Sequence, residues 1–94
     1  MEIQHKAEGS KGMFFYEENG EILAEMTYSM AGETRMIIDH THVDEVLKGK
    51  SVGMQLLNKA VDFAQANKLE VLPLCPFAAA MFKKKPEIQD VLRK

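Results

Sequence analysis

Arg35-Met36-Ile37-Ile38-Asp39-His40-Thr41-His42-Val43 is followed by Lys48-Gly49-Lys50-Ser51-Val52-Gly53, a long amphipathic run, and then Leu69-Glu70-Val71-Leu72-Pro73-Leu74. The first stretch carries a strand over Thr34–His42, with Met36, Ile37 and Ile38 at its centre. After Val43 the periodicity changes. Val52, Leu56, Leu57, Ala60, Val61 and Ala64 recur at helical spacing, one face of a helix from about Ser51 to Asn67. Ser51 suits its N-cap and Asn67 its stop. Leu69–Leu74 is apolar and strand-length. A strand, a helix and a second strand over 35–74 predict one parallel pairing made by a right-handed crossover.

Upstream, the pattern is that of a meander. Gly12–Glu18 is aromatic and strand-like, Asn19-Gly20 is a strong hairpin turn, and Glu21–Met30 answers it. There Ile22, Ala24, Met26 and Tyr28 alternate with Glu21, Leu23, Glu25 and Thr27. Ala31-Gly32-Glu33 forms the next turn, and a short strand around Ile3–Lys6 precedes them all. Downstream, Pro76 opens a helix over Phe77–Lys84, since its missing N–H is not needed there. Pro86 breaks the chain, and Glu87–Arg93 forms a last short helix. The expected class is α/β: a mixed, largely antiparallel sheet built from a β-meander followed by α-β-α, in a single domain over residues 1–94.

Composition narrows the function. Hydrophobic residues are 46% and charged residues 28% of the chain, an ordinary globular balance, and the net charge of −2 argues against a nucleic-acid partner. A lone cysteine, Cys75, excludes an internal disulfide and suits a reducing compartment. No run is long enough to span a bilayer, and the N-terminal residues lack a secretory h-region, so a cytoplasmic protein with no membrane partner is expected. The charge is unevenly spread. Residues 1–47 hold three basic against ten acidic side chains, net −7, whereas residues 48–94 hold nine against four, net +5. Such a split allows an anion site and a cation site on one small protein, or simply a fold that interleaves the halves.

Lys48, Gly49, Lys50, Ser51, Val52 and Gly53 join a strand to the long helix. Glycines let a ligand approach the backbone, the helix start offers free N–H groups, and two lysines add charge, which together suit a phosphate or pyrophosphate. A basic loop with a helix cap reads the same residues without a ligand. Gly49-Lys50-Ser51 also ends a Walker loop, but Asp44 stands where that motif needs glycine.

These residues resemble the GNAT N-acetyltransferase superfamily, whose acyl-CoA loop reads strand–[Gln/Arg]-x-x-Gly-x-[Gly/Ala]–helix. Here it is Lys48-x-x-Ser51-x-Gly53. More closely, the chain looks like the small stand-alone, YjdJ-type minimal GNAT domains, with His-Thr-x-Val at His40-Thr41-His42-Val43 and Pro-x-Cys at Pro73-Leu74-Cys75. The likeness runs from about Ile3 to Val91. It departs at Ser51, which replaces glycine, and at Lys48. It also departs at Cys75-x-x-Ala78-x-x-x-Phe82, where the wider superfamily has Asn-x-x-Ala-x-x-x-Tyr and uses the tyrosine as acid for the leaving thiolate. Phe82 cannot donate that proton.

The resemblance implies acetyl-CoA as co-substrate, held at the pyrophosphate by 48–53 and paired along the pantetheine by the backbone of His42 and Val43, with the thioester near Cys75. Cys75 precedes Pro76 at a helix start, a setting that favours thiolate and acetyl acceptance; it equally fits a small buried hydrophobe at a strand end. His40 and His42, two apart on a strand, point to one side; His40 is the favoured base, for an incoming amine or for Cys75. A zinc pair completed by Cys75 or Asp39 is the alternative, but with no second ligand cluster no metal is expected. Lys83-Lys84-Lys85 is a solvated helix end or a contact for the CoA 3′-phosphate. Glu17, Glu18, Glu21 and Glu25 can attract a cationic amine, or simply solubilise a hairpin. The expected protein is an acetyl-CoA-dependent N-acetyltransferase, monomer or weak dimer, acting on an amine of unknown identity, fitting an exposed protein or peptide. A CoA-binding sensor or interaction module with little catalysis is the alternative.

Overall fold

The computed structural model describes residues 2–91. The strands are β1 (Gln4–Glu8), β2 (Lys11–Glu18), β3 (Glu21–Ala31), β4 (Arg35–Val43) and β5 (Glu70–Pro73), with helices α1 (Val52–Ala66) and α2 (Pro76–Lys84). They form one sheet in the order β1-β2-β3-β4-β5, antiparallel across the first four and parallel between β4 and β5. Short 3-10 turns occupy Glu45–Leu47 and Pro86–Val91. The last of these replaces the expected short helix over Glu87–Arg93, of which Leu92 and Arg93 lie outside the described residues. β1 starts one residue later than expected and runs on to Glu8, leaving Ile3 to be buried ahead of it.

Turn chemistry sets the meander. Asn19 and Gly20 both have positive φ (54° and 81°), the type I′ geometry that matches strand twist in a two-residue hairpin. At the far end of α1, Lys68 takes the left-handed position (φ 55°) rather than Asn67. Leu69 N–H donates to Ala64 O (2.8 Å) and Lys68 N–H to Gln65 O (3.3 Å), a Schellman closure with Leu69 buried beneath it. The Asn67 side chain instead caps back onto Phe63 O at 2.9 Å.

The core lies on one face of the sheet. Val52, Leu56, Leu57, Ala60, Val61 and Ala64 are the buried face of α1, the set read from its periodicity. They share one cluster with Phe14, Ala24, Met26, Tyr28, Met36 and Ile38 of the strands and with Ala78 and Phe82 of α2. Met13, Phe15, Ile22 and Ile37 do not join that cluster. Two bulges decide which residues point in. Tyr16 faces Ala24 and Glu17 faces Ile22, so Leu23 is the extra residue and Ile22, expected inward, is turned out to 38% exposure. Thr27 faces His40 and Tyr28 faces Ile38, so Asp39 is extra on β4. Met36 and Ile38 therefore point into the core, as do Thr41 and Val43 opposite Met26 and Ala24.

Candidate active site

β4 and β5 run together only from Arg35/Glu70 to Ile38/Pro73. There Ile38 O accepts both Leu74 N–H (3.0 Å) and Cys75 N–H (3.2 Å), and the two strands part. From Asp39 to Val43, β4 keeps β3 on one side and, among the described residues, has no strand on the other. The result is a cleft whose one wall is an open strand edge, which can pair with an extended ligand by main-chain hydrogen bonds.

At the end of that wall the chain turns through Glu45–Leu47, where the Asp44 carboxylate accepts Val46 N–H at 3.0 Å. The loop that follows holds Gly49 at φ 83° and Ser51 at φ 57°. Ser51 occupies the N-cap of α1 but makes no side-chain capping bond, which corrects the reading of it as a conventional cap. A conventional N-cap takes extended backbone geometry, which Ser51 lacks, and the N–H groups ahead of the ladder have no serine partner. The first backbone bond of α1 runs from Gln55 N–H to Ser51 O (3.1 Å), and the Gln55 amide also holds Lys50 O (3.3 Å). The N–H groups of Val52, Gly53 and Met54 thus precede the helical ladder at its positive end. Lys48 and Lys50 are exposed beside them, while the Val52 side chain is buried.

Gly53 has a packing reason for its identity. A Cβ there would stand 2.7 Å from the tip of the Phe77 ring. Phe77, in the first turn of α2, therefore rests directly on the first turn of α1. This contact ties the basic loop to the segment that carries Cys75.

Cys75 sits at the N-cap of α2, ahead of Pro76, and is only 4% exposed. Its thiol makes no capping bond; it donates to the Thr41 hydroxyl, Sγ to Oγ1 3.2 Å. His40 and His42 lie on the other face of the sheet, exposed, opposite Thr27 and Glu25. The expectation that His40 polarises Cys75 is thereby corrected. The extra residue Asp39 shifts the alternation by one, so Thr41 rather than a histidine turns toward the thiol. For the same reason Cys75 does not complete a metal set with the histidines. Among the described residues no group of three or more His, Cys, Asp or Glu side chains is close enough to hold an ion.

Phe82, at the superfamily's tyrosine position, is 1% exposed and belongs to the core. Lys83 and Lys84 end α2, complementing its negative pole. With the start of α2 at Gly53, they stand roughly 10 Å along the helix from the loop. The acidic hairpin lies at the loop's end of the sheet. Leu23 O accepts Asp44 N–H at 2.7 Å, and Glu18, Glu21, Leu23 and Val46 line a shallow groove of about 240 Å³.

One cluster escaped the sequence reading. The His5 ring stacks on Phe14 (centroids 4.3 Å), meets the Phe63 ring edge-on (4.7 Å), and its Nε2 lies 2.6 Å from the Tyr28 hydroxyl. Burial lowers the His5 pKa and raises that of Tyr28, disfavouring the charged form of each. Tyr28 in turn lies over Gly12, where a Cβ would fall 2.2 Å from the ring. Three strands and a helix contribute, which is why spacing within any one of them gave no signal.

Residues 13–91 match the family described as GCN5-related N-acetyl-transferase. The NMR solution structure of a GCN5-like protein from Staphylococcus aureus is 34% identical, with 96% of this chain and 87% of that one superposed at a TM-score of 0.75. A ribosomal-protein-alanine N-acetyltransferase from Brucella melitensis biovar Abortus shares the fold at 13% identity and TM-score 0.67, over 82% of this chain and 62% of that one. A GNAT family acetyltransferase from Elizabethkingia anophelis with acetyl-CoA bound shares it at 18% identity and TM-score 0.58, over 68% of this chain and 42% of that one. No curated protein sequence matches. The parted strands, the basic loop opening α1 and the family match over nearly the whole described chain lead to one conclusion: this chain belongs to the GCN5-related N-acetyltransferases, enzymes that move acetyl from acetyl-CoA.

Proposed function

We propose that the cleft between β4 and β5 receives acetyl-CoA and that Cys75 carries the acetyl group to an exposed, cationic amine on a protein or peptide. The observation that carries this reading is the parting of the strands at Ile38, which leaves an open edge over residues 39–43 leading from the basic loop to Cys75. The pyrophosphate is held by Lys48, Lys50 and the N–H groups from Gly49 to Gly53, with Ser51 and Val52 contributing backbone only. The pantetheine pairs with the main chain of His42 and Val43 as an added strand does. The His40 and His42 face of the sheet is not covered by the helical core, so a large acceptor can reach it. The acidic groove by Glu18 and Glu21 favours a cationic acceptor, whereas His40, on the face opposite the Cys75 thiol, does not serve as base for attack on an acetyl group held at Cys75.

A CoA-binding module with little turnover is the second reading. Two observations favour it: Phe82 has no proton to give, and His40 and the Cys75 thiol lie on opposite faces of the sheet. Cys75→Ala and Cys75→Ser separate the two. Under the transfer reading, calorimetric affinity for CoA stays within a few-fold while acetylation of lysine peptides falls on the order of 100-fold or more. Transfer that survives both substitutions rejects the thiol as carrier. The absence of any transfer by the unmodified protein, with CoA still bound, selects the binding module.

A further inference from the structure

Among the described residues, Thr41 is the one polar side chain that hydrogen-bonds the Cys75 thiol, and it does so because of a defect in the strand. Regular alternation along β4 would carry the inward set Met36, Ile38 onto His40 and His42. The extra residue Asp39 breaks that alternation and delivers Thr41 to the core face, opposite Met26. Its hydroxyl then accepts the thiol hydrogen at 3.2 Å, in a contact shielded from water on the cysteine side. A hydroxyl that accepts from S–H still has its own hydrogen to give. Among the described residues no acceptor engages that hydrogen, and Thr41 stands on the strand whose free edge forms the cleft wall.

We propose that Thr41 is the proton relay of the transfer, the group that connects the Cys75 thiol to the leaving sulfur of CoA. This rests on the reading of Cys75 as acetyl carrier. As the Cys75 sulfur bonds to the thioester carbonyl carbon, its proton passes to Thr41 Oγ1 and the Thr41 proton passes to the CoA sulfur. The carbon–sulfur bond to CoA breaks with its electron pair left on that sulfur. The products are S-acetyl-Cys75, free CoA thiol and an unchanged threonine. When the amine attacks S-acetyl-Cys75, the cysteine sulfur leaves with the bonding pair and regains a proton from the amine, giving the amide and the starting thiol. No oxidant, reductant or metal is needed. The relay supplies the proton that the superfamily's tyrosine would give, at a position where this chain has Phe82 buried in the core.

The test is single-turnover formation of S-acetyl-Cys75, read by intact mass after mixing with acetyl-CoA, in the unmodified protein, Thr41→Val, Thr41→Ser and Cys75→Ala. Valine keeps the shape and β-branching of threonine without the hydroxyl; serine keeps the hydroxyl without the methyl. The relay predicts adduct formation slowed by about 10²–10⁴-fold in Thr41→Val and restored to within a few-fold in Thr41→Ser, with CoA affinity unchanged in both. Thr41→Ala replaces the valine variant if its melting curve is displaced. An adduct that forms at full rate without the hydroxyl overturns the relay. So does equal slowing in the valine and serine variants, which shows that the effect does not follow the hydroxyl and assigns it to packing around residue 41. Failure of the underlying reading is seen separately, as acetyl transfer to amine that persists in Cys75→Ala.

Discussion

Ser51 carries a cost that its neighbours do not. A non-glycine residue at φ 57° brings its Cβ close to a backbone carbonyl, which costs roughly 1–2 kcal/mol. The side chain gives nothing back as a cap, since it makes no bond to the helix start. Glycine there removes the clash but loses about 0.5–1 kcal/mol to the greater freedom of the unfolded chain. Ser51→Gly is therefore expected to stabilise the fold by about 0.5–1 kcal/mol, measured as a raised urea midpoint at unchanged slope. A lower midpoint contradicts the assignment of strain. The resemblance already singled out this position, because the superfamily places glycine there. What the sequence left open was whether the loop needs positive φ, and the structure answers that it does. Gly53 was legible in the same motif, but its reason was not: the Phe77 ring that excludes a Cβ arrives from the next helix.

At the scale of elements, α1 was readable to the residue because an isolated helix face reports directly on burial. Strand faces were readable only between bulges. Leu23 and Asp39 each insert one residue, and nothing in Glu21–Ala31 or Arg35–Val43 marks where the alternation slips. The slip at Asp39 has the larger consequence, since it puts His40 on the uncovered face and Thr41 beside Cys75. The His5–Phe14–Tyr28–Phe63 cluster shows the same limit, for it exists only when β1, β2, β3 and α1 are assembled. It also makes a prediction about pH. Burial holds the folded His5 pKa below its ordinary value near 6.5, so the fold binds that proton less readily than the unfolded chain does. The stabilisation is complete above about pH 6.5 and is lost as pH falls through the depressed folded value. The melting temperature should thus decline from pH 7 toward pH 5, and His5→Gln, which cannot titrate, should flatten that segment of the curve. Identical profiles for the two proteins contradict the assignment.

At the scale of the molecule, the uneven charge becomes spatial. The acidic hairpin and the basic loop meet at one end of the sheet, joined through Leu23 and Asp44. Under the proposed function, this charge pattern favours an anionic cofactor at the loop and a cationic acceptor at the hairpin. The sheet separates two sets of side chains: the core face holds Cys75 and Thr41, and the uncovered face holds His40 and His42. All of this depends on acetyl-CoA entering at the loop. Calorimetric titration of the protein with acetyl-CoA tests that claim most directly. The account predicts 1:1 binding with a dissociation constant of about micromolar, weakened as salt screens the lysines. No heat and no saturation up to about millimolar acetyl-CoA would contradict it, and would remove the transferase and the CoA-binding readings together.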